Sequence, residues 1–75
     1  INAGGFSHTS IAIMDALKSF KKPIIEVHMS NIYARESFRH ESYISKVADG
    51  CICGFGALGY ELALYSIIKL LEQKI

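Results

Sequence analysis

Apolar positions in this chain gather into blocks separated by polar or glycine-rich stretches. From Thr9 to Phe20 the spacing is helical: Ile13, Leu17 and Phe20, with Ile11 and Met14 beside them, share a face that Asp15 and Lys18 avoid. This predicts a helix with Lys18, Lys21 and Lys22 at its negative end and Pro23 as its stop. Ile24 to about His28 is nearly continuous in apolar residues, the mark of a parallel strand covered on both faces rather than one. A further strand is predicted near Cys51 to Gly54, then a turn over Gly54–Gly59 and a long helix from about Leu58 to Lys74. At the start, Ile1 and Asn2 read as the tail of another buried strand, followed by the turn-forming Gly4 and Gly5 and a Ser/Thr cluster suited to capping. Asn31 to His40 is polar and expected to hold a short helix, with Glu36 in reach of Arg39 or His40, before a loop through Ser45. Strand, helix, strand, short helix, strand, helix describes an α/β domain with a parallel sheet. With no internal repeat, low-complexity segment or linker, residues 1–75 form part of one domain.

Composition adds a tension to this picture. A chain of 75 residues buries only about 60% of its unfolded surface, yet 51% of its residues are hydrophobic and the last helix is apolar around much of its circumference. Something else is expected to cover that surface. Eight Lys and Arg against seven Asp and Glu give a net charge of +1 with no dense basic run, which argues against a sequence-independent grip on nucleic acid. Leu62 to Leu71, the longest mainly apolar stretch, is too short for a bilayer and carries Lys69, so no membrane span is expected. The chain opens Ile1-Asn2-Ala3-Gly4-Gly5, without an initiator Met or the regions of a signal peptide, and reads as part of a longer protein.

The chemistry concentrates at predicted strand ends, where open α/β sheets bind ligands. Strand alternation puts Glu26 and His28 on one face, about 7 Å apart at their Cα atoms, so the carboxylate is placed to orient or charge an imidazole that then acts as a general acid or base. A buried ion pair of purely structural use fits the same positions, because a lone buried Glu is costly. Asn2 and His8 stand at the previous strand end and the helix entrance, where exposed N–H groups favour an anion. Ser7, Thr9 and Ser10 read as caps rather than nucleophiles. Arg35 and Arg39 suit either a clamp on a carboxylate or a solvated face.

Gly54-Phe55-Gly56-Ala57-Leu58-Gly59 matches the dinucleotide pattern G-x-G-x-x-G, but no strand ending in an acidic residue follows. A tight turn that lets the last helix approach the sheet is the simpler account. Cys51 and Cys53 share a strand face, too few for a metal site and poorly placed for a disulfide, and read as buried small residues of a reducing cytosol. His8, His28 and His40 lack a metal-ligand spacing, and the stripe Tyr60, Leu64, Ile67, Leu71 reads as core or subunit interface.

Several of these segments together, Asn2-Ala3-Gly4-Gly5-Phe6-Ser7-His8-Thr9-Ser10, Asp15-Ala16, Glu26-Val27-His28-Met29-Ser30-Asn31, Arg35-Glu36-x-Phe38-Arg39 and Gly54-Phe55-Gly56-x-x-Gly59-Tyr60, strongly resemble type II 3-dehydroquinate dehydratases. The resemblance covers the whole chain in the family's order. It implies the C-terminal half of a flavodoxin-like, three-layer domain and a cofactor-free, cytoplasmic lyase that removes water from 3-dehydroquinate in aromatic precursor synthesis. It also implies a trimer-based dodecamer. By position, His28 matches the family's proton donor, and Asn2, His8, Met29, Ser30 and Arg39 match substrate-binding residues. Asp15 matches a residue turned towards a neighbouring subunit's site, Glu26 the acid behind the histidine, and Arg35 a basic position near the mobile lid. Gly5 stands where alanine is common and Met29 where an aliphatic residue is usual.

The family's tyrosine base and its partner arginine belong to a lid in the N-terminal half, outside this sequence. Tyr33, Tyr43, Tyr60 and Tyr65 do not stand in that motif, so none takes the role. A partner is therefore expected in the missing half of the same domain. The alternative from a different class is a non-catalytic flavodoxin-like module binding a nucleotide or a protein.

Overall fold

The computed structural model describes residues 1–73. Strand β1 (Ile25–His28) pairs in parallel with β2 (Gly50–Cys53), in the register Ile25 to Gly50, Glu26 to Cys51, Val27 to Ile52 and His28 to Cys53. Asp49 clasps the entry to the pair: its N–H donates to the Ile24 carbonyl at 2.7 Å and its Oδ2 accepts from the Ile24 N–H at 2.8 Å. On the other edge of β1 the Ile1 amino group donates to the Ile25 carbonyl and the Val27 N–H donates to the Ile1 carbonyl, both at 2.8 Å. That is the pairing of a parallel ladder centred on Glu26. The predicted strand tail thus meets the sheet at Ile1, and Asn2 leaves it.

Gly4–His8 forms a 3-10 helix rather than a simple turn, with Gly4 at φ 58°. Helix α1 (Ile11–Lys18) is shorter at both ends than predicted. Ser10 caps it, its Oγ accepting from the Ile13 N–H at 3.1 Å. At the other end the Ser19 and Phe20 N–H groups bond three residues back, to Ala16 and Leu17, tightening the last turn. Ser7 caps nothing and is fully buried. The predicted short helix after Asn31 is two 3-10 turns, Ile32–Ala34 and Ser37–Arg39, divided by Arg35, whose extended backbone (φ −108°, ψ −163°) interrupts the winding.

All four residues of β1 are buried, and its two faces differ. Val27 and Ile52 face helix α2 (Leu58–Gln73), the predicted end of which, Lys74, lies outside the described residues. A Cβ on Gly59 would stand 3.2 Å from Val27 Cγ1 and 3.7 Å from Ile52 Cγ2, so the missing side chain is what lets α2 sit this close. Gly54 (φ 93°) and Gly56 (φ 59°) make the preceding turn.

Two readings of the sequence are corrected here. Of the two readings of the α2 stripe, core or subunit interface, the first does not hold: Tyr60, Leu64 and Leu71 are 46%, 62% and 47% exposed, because α2 meets the small sheet through only one side. Nor are the cysteines buried: Cys51 is exposed and Cys53 half-buried, since β2 is the outer strand of the described sheet. Between α1 and α2, over Ile1 and Ile25, runs an open apolar trough of about 470 Å³ lined also by Leu17, Phe20, Pro23 and Ile67.

Candidate active site

The second face of β1 carries the chemistry. Glu26 is completely buried and His28 is 5% exposed, and the imidazole Nε2 lies 2.6 Å from Glu26 Oε2. With Nε2–H donating to the carboxylate, Nδ1 is the ring's other functional nitrogen. Glu26 also accepts from Ser42 Oγ at 2.5 Å and from Ser45 Oγ. Burial pushes the Glu26 carboxyl up, but the donors Ser42, Ser45 and His28, and then the charge of His28, together outweigh it and hold the group below its ordinary value. The site therefore keeps a carboxylate, not a carboxylic acid, behind the histidine at neutral pH.

His8 reaches the same place from the 3-10 helix. Its Nδ1 lies 2.5 Å from the Glu41 carbonyl, which can only accept, so Nδ1 carries the proton. The His8 and His28 rings stack at 6.0 Å between centroids with 23° between planes, and Phe38 meets His8 edge-on. Asn2 is held at both ends of its amide: Oδ1 accepts from the Gly4 N–H at 3.1 Å and Nδ2 donates to the Tyr60 hydroxyl at 2.8 Å.

On the opposite side, Arg39 donates through Nε to Glu36 Oε2 at 2.8 Å and stacks over Phe38 at 4.8 Å. Arg35 approaches Ser30 Oγ at 3.5 Å. Glu36 is held below its usual range by its own backbone hydrogen bond and then by Arg39.

Asn2, His8, His28, Met29, Ser30, Arg35 and Arg39 line one cavity of about 310 Å³, together with Gly4, Gly5 and Ile32. Its wall has two guanidinium groups, two imidazoles, an amide and a hydroxyl, and no carboxylate, a set suited to a small hydroxylated anion. The larger trough between α1 and α2 is apolar and has no titratable side chain in its wall, so size does not locate the chemistry. Asp15 is exposed on α1 and is not among the residues lining the cavity. Cys51, opposite Glu26 in the ladder, has its thiol pushed up to about 11 by desolvation and then by the Glu26 charge, which makes it a poor nucleophile. Among the described residues no three His, Cys, Asp or Glu side chains gather as a metal site requires.

The family model described as Dehydroquinase class II matches residues 1–68. The chain belongs to the class II dehydroquinase family. A 3-dehydroquinate dehydratase from Idiomarina loihiensis is 59% identical over 73 residues, covering 97% of this chain and 48% of that protein. One from Dinoroseobacter shibae is 63% identical over 67 residues, 89% of this chain and 45% of that protein. Among solved structures, the type II dehydroquinase from Propionibacterium acnes superposes with a TM-score of 0.86 at 54% identity, covering 89% of this chain and 49% of that one. The type II dehydroquinase from Butyrivibrio crossotus gives 0.87 at 46% identity, over 89% of this chain and 47% of that one. The chain thus spans about half the length of the relatives it matches, and its parallel α/β architecture is flavodoxin-like as theirs is.

The sequence assigns no site role to Ser42, Ser45, Glu41 or Tyr60. The first three lie in a segment that reads only as a loop, and the one available signal was the pair of serines three positions apart. Tyr60 sits 58 positions from the Asn2 it bonds, a contact no local pattern announces.

Proposed function

We propose that the complete protein carrying this chain is a lyase that dehydrates 3-dehydroquinate to 3-dehydroshikimate. The observation that carries the reading is the single cavity lined by Asn2, His8, His28, Met29, Ser30 and Arg39, with a buried carboxylate bonded to the His28 ring behind it. Removing a proton beside the ketone makes an enolate, which needs fixed hydrogen-bond donors. Asn2, with an ordered water, serves that oxyanion. The leaving hydroxyl then needs a proton, and His28, oriented by Glu26, delivers it from the nitrogen not bonded to the carboxylate. Met29, Ser30 and His8 bind the substrate, Arg39 holds it by charge, and Arg35 supports the lid side.

The base is a tyrosine of the N-terminal half of the same domain, of which residues 1–75 are the C-terminal part. This half alone is inactive, because an acid cannot expel the hydroxyl without the carbanion. The apolar trough along α1 and α2 is covered by that other half. Asp15, exposed on α1, completes a neighbouring subunit's site in a trimer-based dodecamer. The enzyme works in the cytoplasm, in aromatic precursor synthesis, and needs no cofactor.

Incubating the complete protein with 3-dehydroquinate and following the conjugated product by its ultraviolet absorbance tests the reading. Steady turnover without added metal or nucleotide is the expected result. No turnover would leave a flavodoxin-like module that binds a nucleotide or a protein partner.

A further inference from the structure

We propose that Ser42 and Ser45 are positioning residues whose hydroxyls fix the Glu26 carboxylate and, through it, the aim of the His28 ring. The proposal rests on the reading of His28 as the acid. Glu26 has no contact with solvent, so the orientation of its carboxylate is set entirely by protein donors. Those donors are divided between its two oxygens: Oε1 receives Ser45, and Oε2 receives both Ser42 and His28. Turning the carboxylate about its last bond breaks one hydrogen bond or the other, so the plane is locked and the imidazole on Oε2 is aimed with it.

The Ser42 hydroxyl has no freedom to do anything else. A hydroxyl offers one proton and two lone pairs. The Ile44 N–H (3.1 Å) and the Ser45 N–H (3.4 Å) both donate to Ser42 Oγ, which leaves the O–H committed to Glu26. A serine that merely capped this turn would need only the two backbone bonds. Ser45 makes the argument from the other side, because its residue is exposed while its hydroxyl is turned inward onto a buried carboxylate.

The same short segment also sets the second imidazole. The Glu41 carbonyl, next to Ser42, takes the proton of His8 Nδ1, and the Tyr43 N–H ties the segment to the Ser7 carbonyl at 2.8 Å. Ile44, fully buried, anchors it. One stretch of chain from Glu41 to Ser45 therefore fixes the tautomer of His8 and the acceptor of His28, whose rings stand 6.0 Å apart.

The test uses the complete protein in three forms, unsubstituted, Ser45→Ala and Ser45→Thr, chosen because an exposed position lets the variants fold. Steady-state kinetics on 3-dehydroquinate are measured beside the ¹⁵N resonances of the His28 ring in histidine-labelled protein. Ser45→Ala should lower kcat roughly 10- to 100-fold, the scale seen when an outer-shell partner of a metal-bound histidine is removed, with KM little changed and the His28 ring nitrogens shifted. Ser45→Thr, which keeps the hydroxyl, should restore both. Unshifted His28 resonances with unchanged kcat in Ser45→Ala would overturn the proposal, as would a threonine variant that behaves like alanine. If the unsubstituted protein shows no turnover, the dehydratase reading fails, and the ring resonances alone still decide whether the serines hold His28.

Discussion

The Asn2 amide donates to the hydroxyl of Tyr60 at 2.8 Å, joining the loop that leaves the sheet at Ile1 to the first turn of α2. The opposite end of the same amide is held by the Gly4 N–H, so the side chain has one orientation. Tyr60→Phe removes the acceptor and leaves the ring. Because both partners are exposed, the loss should be small, about 0.5–1.5 kcal/mol, or roughly a 2- to 13-fold fall in kcat. Stopped-flow turnover of the complete protein checks it, and an unchanged kcat would mean that Asn2 is held adequately by Gly4 alone.

Arg39 is expected to act on binding. A guanidinium side chain carries donors only and serves as neither acid nor base in a protein. Arg39→Lys keeps the charge but loses the planar fork and the Nε bond to Glu36. KM for 3-dehydroquinate should rise about 10-fold or more, the scale of a charge-assisted hydrogen bond, with a smaller change in kcat. An unchanged KM would return Arg35 and Arg39 to the role of a solvated face.

Glu26 makes stability depend on acid. Its folded pKa lies below the ordinary value of 4.5, so in that range the unfolded chain binds more protons than the folded one and stability rises with pH. The contribution is fully present above about pH 4.5 and is lost as pH falls through the folded pKa. Glu26→Gln removes the titration. Urea midpoints of the complete protein between neutral pH and pH 3 should fall less steeply for the variant than for the parent. Parallel curves would show that the carboxylate is not held as its three donors imply.

The parts of this molecule that were legible in the sequence are those set by local spacing. The nearly continuous apolar run Ile24–His28 marks a buried strand, and the glycines at 54 and 56 mark the turn before α2, whereas Pro23 stands five residues beyond the end of α1. Alternation put Glu26 beside His28, and the 2.6 Å contact follows from that. What spacing does not carry is the other shell of the site. The serines that satisfy Glu26 come from 16 and 19 positions away, and their loop has no period to read. Element ends were misjudged for a related reason: Arg35 takes up extended backbone and the α1 terminus tightens, both decided by contacts rather than by propensity. The apolar surface of α2, which composition leaves for something else to cover, is open because the described sheet is too small to cover it.

The role of His28 as general acid of a dehydration is tested most directly by comparing kcat for dehydroshikimate formation by the complete protein and by its His28→Ala variant. The ring is nearly buried, bonded to a carboxylate and open to the cavity on its other side, and after its removal Glu26 keeps Ser42 and Ser45 as donors. A fall in kcat of about 10² to 10⁴, the usual worth of a positioned general acid, with a much smaller change in KM, is expected. Near-normal turnover by the variant would contradict it.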